Sequence, residues 1–170
     1  MKTAKKAAVV ALIYPSLDDK LKMLLILRKT YKGVHSNQIG FPGGKLEGSE
    51  TMQQAALREV EEEVGVHQQS YIVIREMTEV YIPPSNFYVQ PFIGFSEQSL
   101  NFKKQDEEVE AIVEVPLEHL LDDKNMRFSV VPTSLEKRIE VPSFVLNDHI
   151  VWGATAMMLS EIKDLLKQSF

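Results

Sequence analysis

The chain has 170 residues, a formal charge of −5 and no cysteine. That length suits one domain with one core, so a single domain over residues 1–170 is expected. The missing cysteines exclude a disulfide framework, a thiol nucleophile and a thiolate metal site, and the negative balance argues against nucleic-acid binding, because a polyanion would be repelled.

The opening stretch MKTAKKAAVVALIYP looks superficially like a signal peptide, but its apolar run is short, β-branched and without a convincing small-residue cleavage site. It reads as a buried first strand, Ala7–Tyr14, followed by a second over Leu21–Arg28. The turn residues Pro15-Ser-Leu-Asp-Asp19 between them predict a hairpin. Tyr31–Gly44 is a glycine-punctuated loop with a short strand near Ile39. Thr51 can cap a helix, with Gln54 at capping-box spacing, and the helix runs to Val64 with Gly65 as its stop. Ala56, Val60 and Val64 should face the core. Strands are expected over Tyr71–Ile82, Phe87–Phe95 and Glu110–Val115, then a short helix over Pro116–Leu121. Met126–Val131 and Arg138–Leu146 read as paired strands. From Ile150 a C-terminal helix is expected, with Ala154, Met157, Met158, Ile162 and Leu165 or Leu166 on its buried face. A mixed sheet between helices, an α/β fold, is the simplest architecture. No stretch approaches the ~20 apolar residues of a membrane span. No membrane partner is therefore expected; the missing cysteines permit a reducing compartment, and a cytoplasmic location is expected; the oligomeric state is open, a homodimer included.

The helix raises a question of charge. Glu59, Glu62 and Glu63 fall on one side of it at offsets of three and four. Like charges at that spacing cost ~0.2–0.5 kcal/mol when exposed, and anions in the last turns cost a further ~0.3–1 kcal/mol against the helix dipole. Arg58 can offset only part of this. Three carboxylates on one rigid face suit a hard divalent cation such as Mg²⁺ or Mn²⁺, which prefers oxygen ligands. A solvated acidic surface is the competing reading.

Gly44, Glu50, Arg58, Glu59, Val60, Glu62, Glu63, Gly65 and Val66 fit the pattern G-x5-E-x7-R-E-U-x-E-E-x-G-U, with U a bulky aliphatic residue. The stretch 44–66 resembles the Nudix box at every specified position. The resemblance implies a Nudix-type α/β/α sandwich and a metal-dependent hydrolase of a nucleoside diphosphate linked to another group. It also implies that the Gly43 carbonyl and the carboxylates of Glu59, Glu62 and Glu63 hold Mg²⁺ or Mn²⁺, while Glu50 and Arg58 form a supporting ion pair. Metal ions would neutralise the diphosphate, acidify a water and clamp the bridging oxygens. The glycines at 43 and 44 would let backbone approach the site.

The flanks address the substrate. Leu24, Leu25, Arg28, His35, Ile39, Phe41, Pro42, Gly43 and Gly44 are similar to the segment that precedes the box in coenzyme A diphosphatases of the Nudix superfamily. Lys29 stands where that family has Ser, Lys32-Gly33 where it has Leu-Arg, and Asn37 where it has Gly; Lys29 or Lys32 is the candidate replacement for the lost phosphate-contacting arginine. DEEVEAIVEVPLEHLL (106–121) and HIVWGATAMML (149–159) also look like that family. By this resemblance Arg28, His35, Phe41 and Gly44 are candidate substrate-binding residues, although His35 could equally pack a loop and Phe41-Pro42 could simply fix it. Trp152 reads as a core anchor rather than a base-stacking platform. Many Nudix enzymes carry an extra glutamate on the loop near 107–108, as metal ligand or base, and the position just before Val109 favours Glu108.

The expected reaction is attack of an activated water on one phosphorus of coenzyme A or an acyl-CoA, giving 3′,5′-ADP and 4′-phosphopantetheine. Glu62 is the first candidate for general base and Glu108 the second. Two alternatives stand beside it. One keeps the chemistry on ADP-ribose, a dinucleotide or a nucleoside triphosphate. The other is a non-catalytic ligand- or RNA-binding domain, which the retained glutamates and the acidic charge oppose.

Overall fold

The computed structural model describes residues 3–30, 37–133 and 137–169. Strand β1 (Lys5–Pro15) organises the main sheet. One of its edges pairs in parallel with β7 (Phe87–Phe95), from Lys5 opposite Phe87 to Ile13 opposite Phe95. Its other edge is shared. β2 (Leu21–Arg28) takes the end of β1 at Ile13–Pro15, as the hairpin predicts. The three-residue β4 (Gly43–Lys45) takes the start, with Gly43 opposite Val9. β2 in turn carries β3 (Ile39–Gly40) and β8 (Val109–Pro116). β5 (Ile72–Glu76) and β6 (Val80–Ile82) complete a mixed eight-stranded sheet against β7. A second sheet has the order β11-β10-β9, built from β9 (Met126–Pro132), β10 (Arg138–Leu146) and β11 (His149–Trp152).

β1 is buried on both faces, so its sequence is a continuous apolar run rather than an alternation. Ala8, Val10 and Leu12 pack with Leu24 and Ile26 under α1 (Met52–Val64), which contributes Ala56, Val60 and Val64. On the other face Val9, Ala11 and Ile13 pack with Leu25 and with Leu159 and Ile162 of α3 (Gly153–Ser169). The short α2 (Leu117–Leu121) adds Leu117 and Leu120 to that layer, and β10 adds Phe144 and Leu146. The result is a sheet between helices, the expected α/β architecture. Among the described residues no helix is long and apolar enough to cross a membrane.

α1 starts and stops where its sequence directs. The Thr51 hydroxyl accepts from the Gln54 N–H at 3.1 Å, and the Gln54 side chain accepts from the Thr51 N–H at 2.9 Å. Gly65 adopts φ +72° and donates to the Glu61 carbonyl at 3.0 Å.

Three expectations need correction. The predicted strand Tyr71–Ile82 is two strands, because Pro91 on the neighbouring β7 has no N–H to continue the ladder. Its carbonyl accepts from the Met77 N–H at 2.9 Å, and the Gln90 amide caps the Met77 carbonyl at 2.5 Å. The C-terminal helix begins at Gly153, since 149–152 pairs with β10. Its buried stripe runs through Met158, Leu159 and Ile162, while Met157 lies about 200° round from Leu159 and is exposed. Trp152 is half-buried and outside both core layers. It lines a cavity of about 320 Å³ with Leu27, Ile39 and Ile150.

Candidate active site

The site forms where β4 meets the last two turns of α1. β4 has to run close to its neighbours. A Cβ on Gly43 would overlap the Ala8 carbonyl oxygen and the Val9 Cα, and one on Gly44 would lie 2.5 Å from Glu59 Cδ. The two glycines therefore bring bare backbone against the sheet on one side and against a helix carboxylate on the other.

The acidic side of α1 is graded in depth. Glu63 is only 1% exposed. The Glu59 side chain is 13% and the Glu62 side chain 57% exposed. Glu63 accepts the Gly43 N–H at 2.7 Å. Burial pushes its carboxyl up to about 7, against the lowering influence of Arg28 and the Gly43 amide and with further raising by Glu59 and Glu108. Burial also raises Glu59, helped by Glu62 and Glu108 and opposed by Arg58.

Arg58 organises the rest. Its Nε and Nη2 donate to Glu50 at 2.5 and 3.1 Å, a forked pair. Nη1 donates to Glu59 at 3.0 Å and to Glu62 at 3.2 Å, and Nη2 also reaches the Lys45 carbonyl of β4 at 3.0 Å. The pairing holds the Glu50 carboxyl below the usual range. One guanidinium thus ties the loop before α1, the helix and β4 together.

The structure brings Glu50, Arg58, Glu59, Glu63, Gly43 and Gly44 into one assembly, with Glu62 on its exposed rim. Glu108 lies in the turn before β8, close enough for its charge to act on both Glu59 and Glu63. Arg28 sits at the end of β2, where its charge acts on Glu63 and its Nη2 reaches the Phe41 carbonyl at 3.4 Å.

The expected convergence of Glu59, Glu62 and Glu63 is not what the side chains do. Among the described residues no three acidic or histidine side chains close on a single point. Glu63 turns inward to a backbone amide, and Arg58 spans Glu59 and Glu62. The contact Gly43 makes with the site is through its N–H, which Glu63 accepts. Phe41, a candidate substrate-binding residue, is 2% exposed and belongs to the core layer under α3, so its ring cannot meet a ligand. Lys29, a candidate phosphate contact, instead donates to the Asp106 carbonyl at 2.7 Å. His35 and Lys32 lie outside the described residues. Two participants had no sequence signal. The Lys45 carbonyl acts through backbone alone, and Gln105 donates its N–H to the Glu63 carbonyl at 2.9 Å.

The donor set nevertheless fits a divalent cation. Five carboxylates, Glu50, Glu59, Glu62, Glu63 and Glu108, outnumber the two guanidiniums of this region, Arg28 and Arg58. The two deepest, Glu59 and Glu63, are pushed towards protonation by burial and by repulsion from neighbouring carboxylates. A hard cation with oxygen ligands would relieve both effects.

Known proteins resemble this chain in sequence and in fold. Nudix hydrolase 3 of Caenorhabditis elegans is 27% identical over 96% of this chain and 74% of its own length. The chloroplastic Nudix hydrolase 22 of Arabidopsis thaliana is 30% identical over 91% of this chain, and the chain spans about half, 53%, of that relative. The crystal structure of the Nudix hydrolase RenU from M. smegmatis superposes with a TM-score of 0.67 over 99% of this chain and 89% of that one; at 15% identity it shows a shared fold. The family model described as the NUDIX domain matches residues 5–133, well over half of the sequence, and the chain belongs to the Nudix hydrolase family.

Proposed function

We propose that this protein hydrolyses the diphosphate bond of coenzyme A or an acyl-CoA, releasing 3′,5′-ADP and 4′-phosphopantetheine or its acylated form. The observation that carries the hydrolytic part is the assembly of Glu50, Arg58, Glu59 and Glu63 against the bare backbone of Gly43-Gly44. Nudix hydrolases generally use divalent metal ions. Here Glu59, Glu62 and Glu63, with the backbone of Gly43, would hold Mg²⁺ or Mn²⁺. When bound, such an ion supplies charge neutralisation for the diphosphate and acidifies a water.

The chain's own residues do the remainder. Arg58 and Glu50 fix the helix carboxylates. Arg28, at the mouth of the site, offers a cation to a phosphate oxygen. Water oxygen forms a bond to one phosphorus, the bond from that phosphorus to the bridging oxygen breaks, and a carboxylate takes up the water's proton. One Glu62 oxygen already accepts from the Arg58 guanidinium at 3.2 Å. Glu108 has no ion pair among the described residues, and that favours it as the proton acceptor.

The choice of coenzyme A rests on the stretch from Leu24 to Gly44 and its likeness to coenzyme A diphosphatases. Mass spectrometry of products after incubation with coenzyme A and Mg²⁺ tests it. Formation of 3′,5′-ADP well ahead of any cleavage of ADP-ribose is expected, and the reverse order would replace coenzyme A with ADP-ribose as the substrate.

A further inference from the structure

We propose that Lys29 is a positioning residue that pins the turn 104–108 to the end of β2 and so keeps the Glu108 charge close to Glu59 and Glu63. This rests on the reading that Glu108 works at the site.

The turn is held from two sides. Towards α1, the Lys103 N–H donates to the Val64 carbonyl and the Gln105 N–H to the Glu63 carbonyl, both at 2.9 Å. Towards β2, the Lys29 N–H donates to the Glu108 carbonyl at 3.0 Å and its Nζ to the Asp106 carbonyl at 2.7 Å. The same ammonium lies 3.6 Å from Glu110. Within the turn, the Gln105 side chain accepts the Glu108 N–H at 3.0 Å. A register shift in the β2–β8 ladder between Leu27 and Arg28 lets the backbone of Lys29 reach Glu108 beyond the regular pairing.

A pin is needed here for an electrostatic reason. Asp106, Glu107 and Glu108 are consecutive anions, the charge of Glu108 acts on Glu59 and Glu63, and this repulsion favours opening the turn away from the helix. Lys104 answers Asp106 from within the turn, at 2.6 Å. Lys29 answers from the sheet, and it alone of the two is anchored to an element of the main sheet. This gives the lysine at position 29 a role other than contact with a substrate phosphate.

Two measurements on the whole chain test the assignment. Amide hydrogen exchange across residues 104–109 should accelerate about fivefold to tenfold in Lys29→Ala and return to about the wild-type rate in Lys29→Arg. Unchanged exchange in Lys29→Ala overturns the pin, whether or not any diphosphate is cleaved. With coenzyme A and Mg²⁺, Lys29→Ala should lower kcat about fivefold with KM changed by less than about twofold, and should cost nothing further in a Glu108→Gln background. An equal loss in both backgrounds, or a loss carried by KM, overturns the proposal and puts Lys29 on the substrate. Failure of the wild-type protein to cleave any diphosphate counts against the proposed function, while the exchange rates still decide the role of Lys29.

Discussion

Arg58 grips Glu50 through two parallel hydrogen bonds, Nε to Oε1 at 2.5 Å and Nη2 to Oε2 at 3.1 Å. The fork fixes the guanidinium plane, and that plane sets where Nη1 meets Glu59 and Glu62. Lysine would keep the charge and lose the fork. Arg58→Lys and Glu50→Gln are each expected to lower kcat by about 10- to 100-fold, the range typical of residues that orient metal-site ligands. The thermal midpoint should fall by only a few degrees, because both side chains lie at the surface end of the assembly. Steady-state kinetics with a thermal melt of each variant checks this. Full activity in both would remove the pair from the machinery.

Glu63 makes stability depend on pH and metal together. Its carboxyl lies near 7 in the folded protein against an ordinary value of 4.5, with burial as the first cause. A raised carboxyl binds its proton more tightly when folded. Its contribution is therefore complete below about 4.5 and is lost as pH rises through about 7, a change of ~3 kcal/mol at most. Glu59 is shifted in the same direction. In chelator the thermal midpoint should fall from pH 5.5 to pH 8. Mg²⁺ or Mn²⁺ should restore more at pH 8, where the carboxylates are ionised, than at pH 5.5. Glu63→Gln keeps an acceptor for the Gly43 N–H and should flatten both effects. A chelator midpoint that rises over this interval in the wild type would contradict the assignment.

The sequence made the sheet centre and α1 legible because their signals are local. β1 and β2 are apolar runs joined by turn residues, and α1 carries its own capping box and glycine stop. Elements that depend on a neighbour were not legible. β4 is Gly-Gly-Lys and owes its place to backbone pairing with Ala7–Val9. The break between β5 and β6 is dictated by Pro91 on another strand. β11 did leave a signal: Asn147 and Asp148 both take positive φ, 49° and 64°, the two-residue turn that an Asn-Asp pair between apolar runs favours. The depth of the carboxylates followed from the same periodicity that put them on one side. Glu63 lies about 60° from the buried Val60 and Glu62 about 200° from it, so only Glu63 is drawn inward.

The adjacent glycines should fail in different ways. At Gly43 the added Cβ meets backbone atoms of β1, which cannot step aside. Gly43→Ala is expected to cost ~2–3 kcal/mol, as overpacking does. At Gly44 the obstacle is the far end of the Glu59 side chain, which can swing away. Gly44→Ala should therefore keep a near-normal melting temperature and lose about tenfold or more in kcat, because it displaces the Glu59 carboxylate that is proposed to hold the metal. Circular-dichroism melts and kcat for both variants test the contrast, and the opposite order would mean that Glu59 is dispensable.

Away from the site, α3 buries a lysine that depends on one exposed acid. The Lys163 side chain is 4% exposed, and its Nζ lies 2.8 Å from Asp123, 3.1 Å from the Met126 sulfur and 5.8 Å from the Phe144 ring centre. Lys167 meets the same carboxylate at 2.8 Å. Hydrogen bonds from the two lysines hold the Asp123 carboxyl down at about 2. Its stabilising contribution is thus present above the ordinary carboxylate range and is lost as pH falls through about 2. Asp123→Ala leaves a buried ammonium with only a thioether and a ring, and should lower the thermal midpoint at pH 7 by about 5 °C or more. Adding Lys163→Met removes the stranded charge and should recover part of that loss. Melts of the single and double variants decide it: if the double variant is less stable than Asp123→Ala, the ammonium contributes through its stem and ring contacts rather than through its pairing with Asp123.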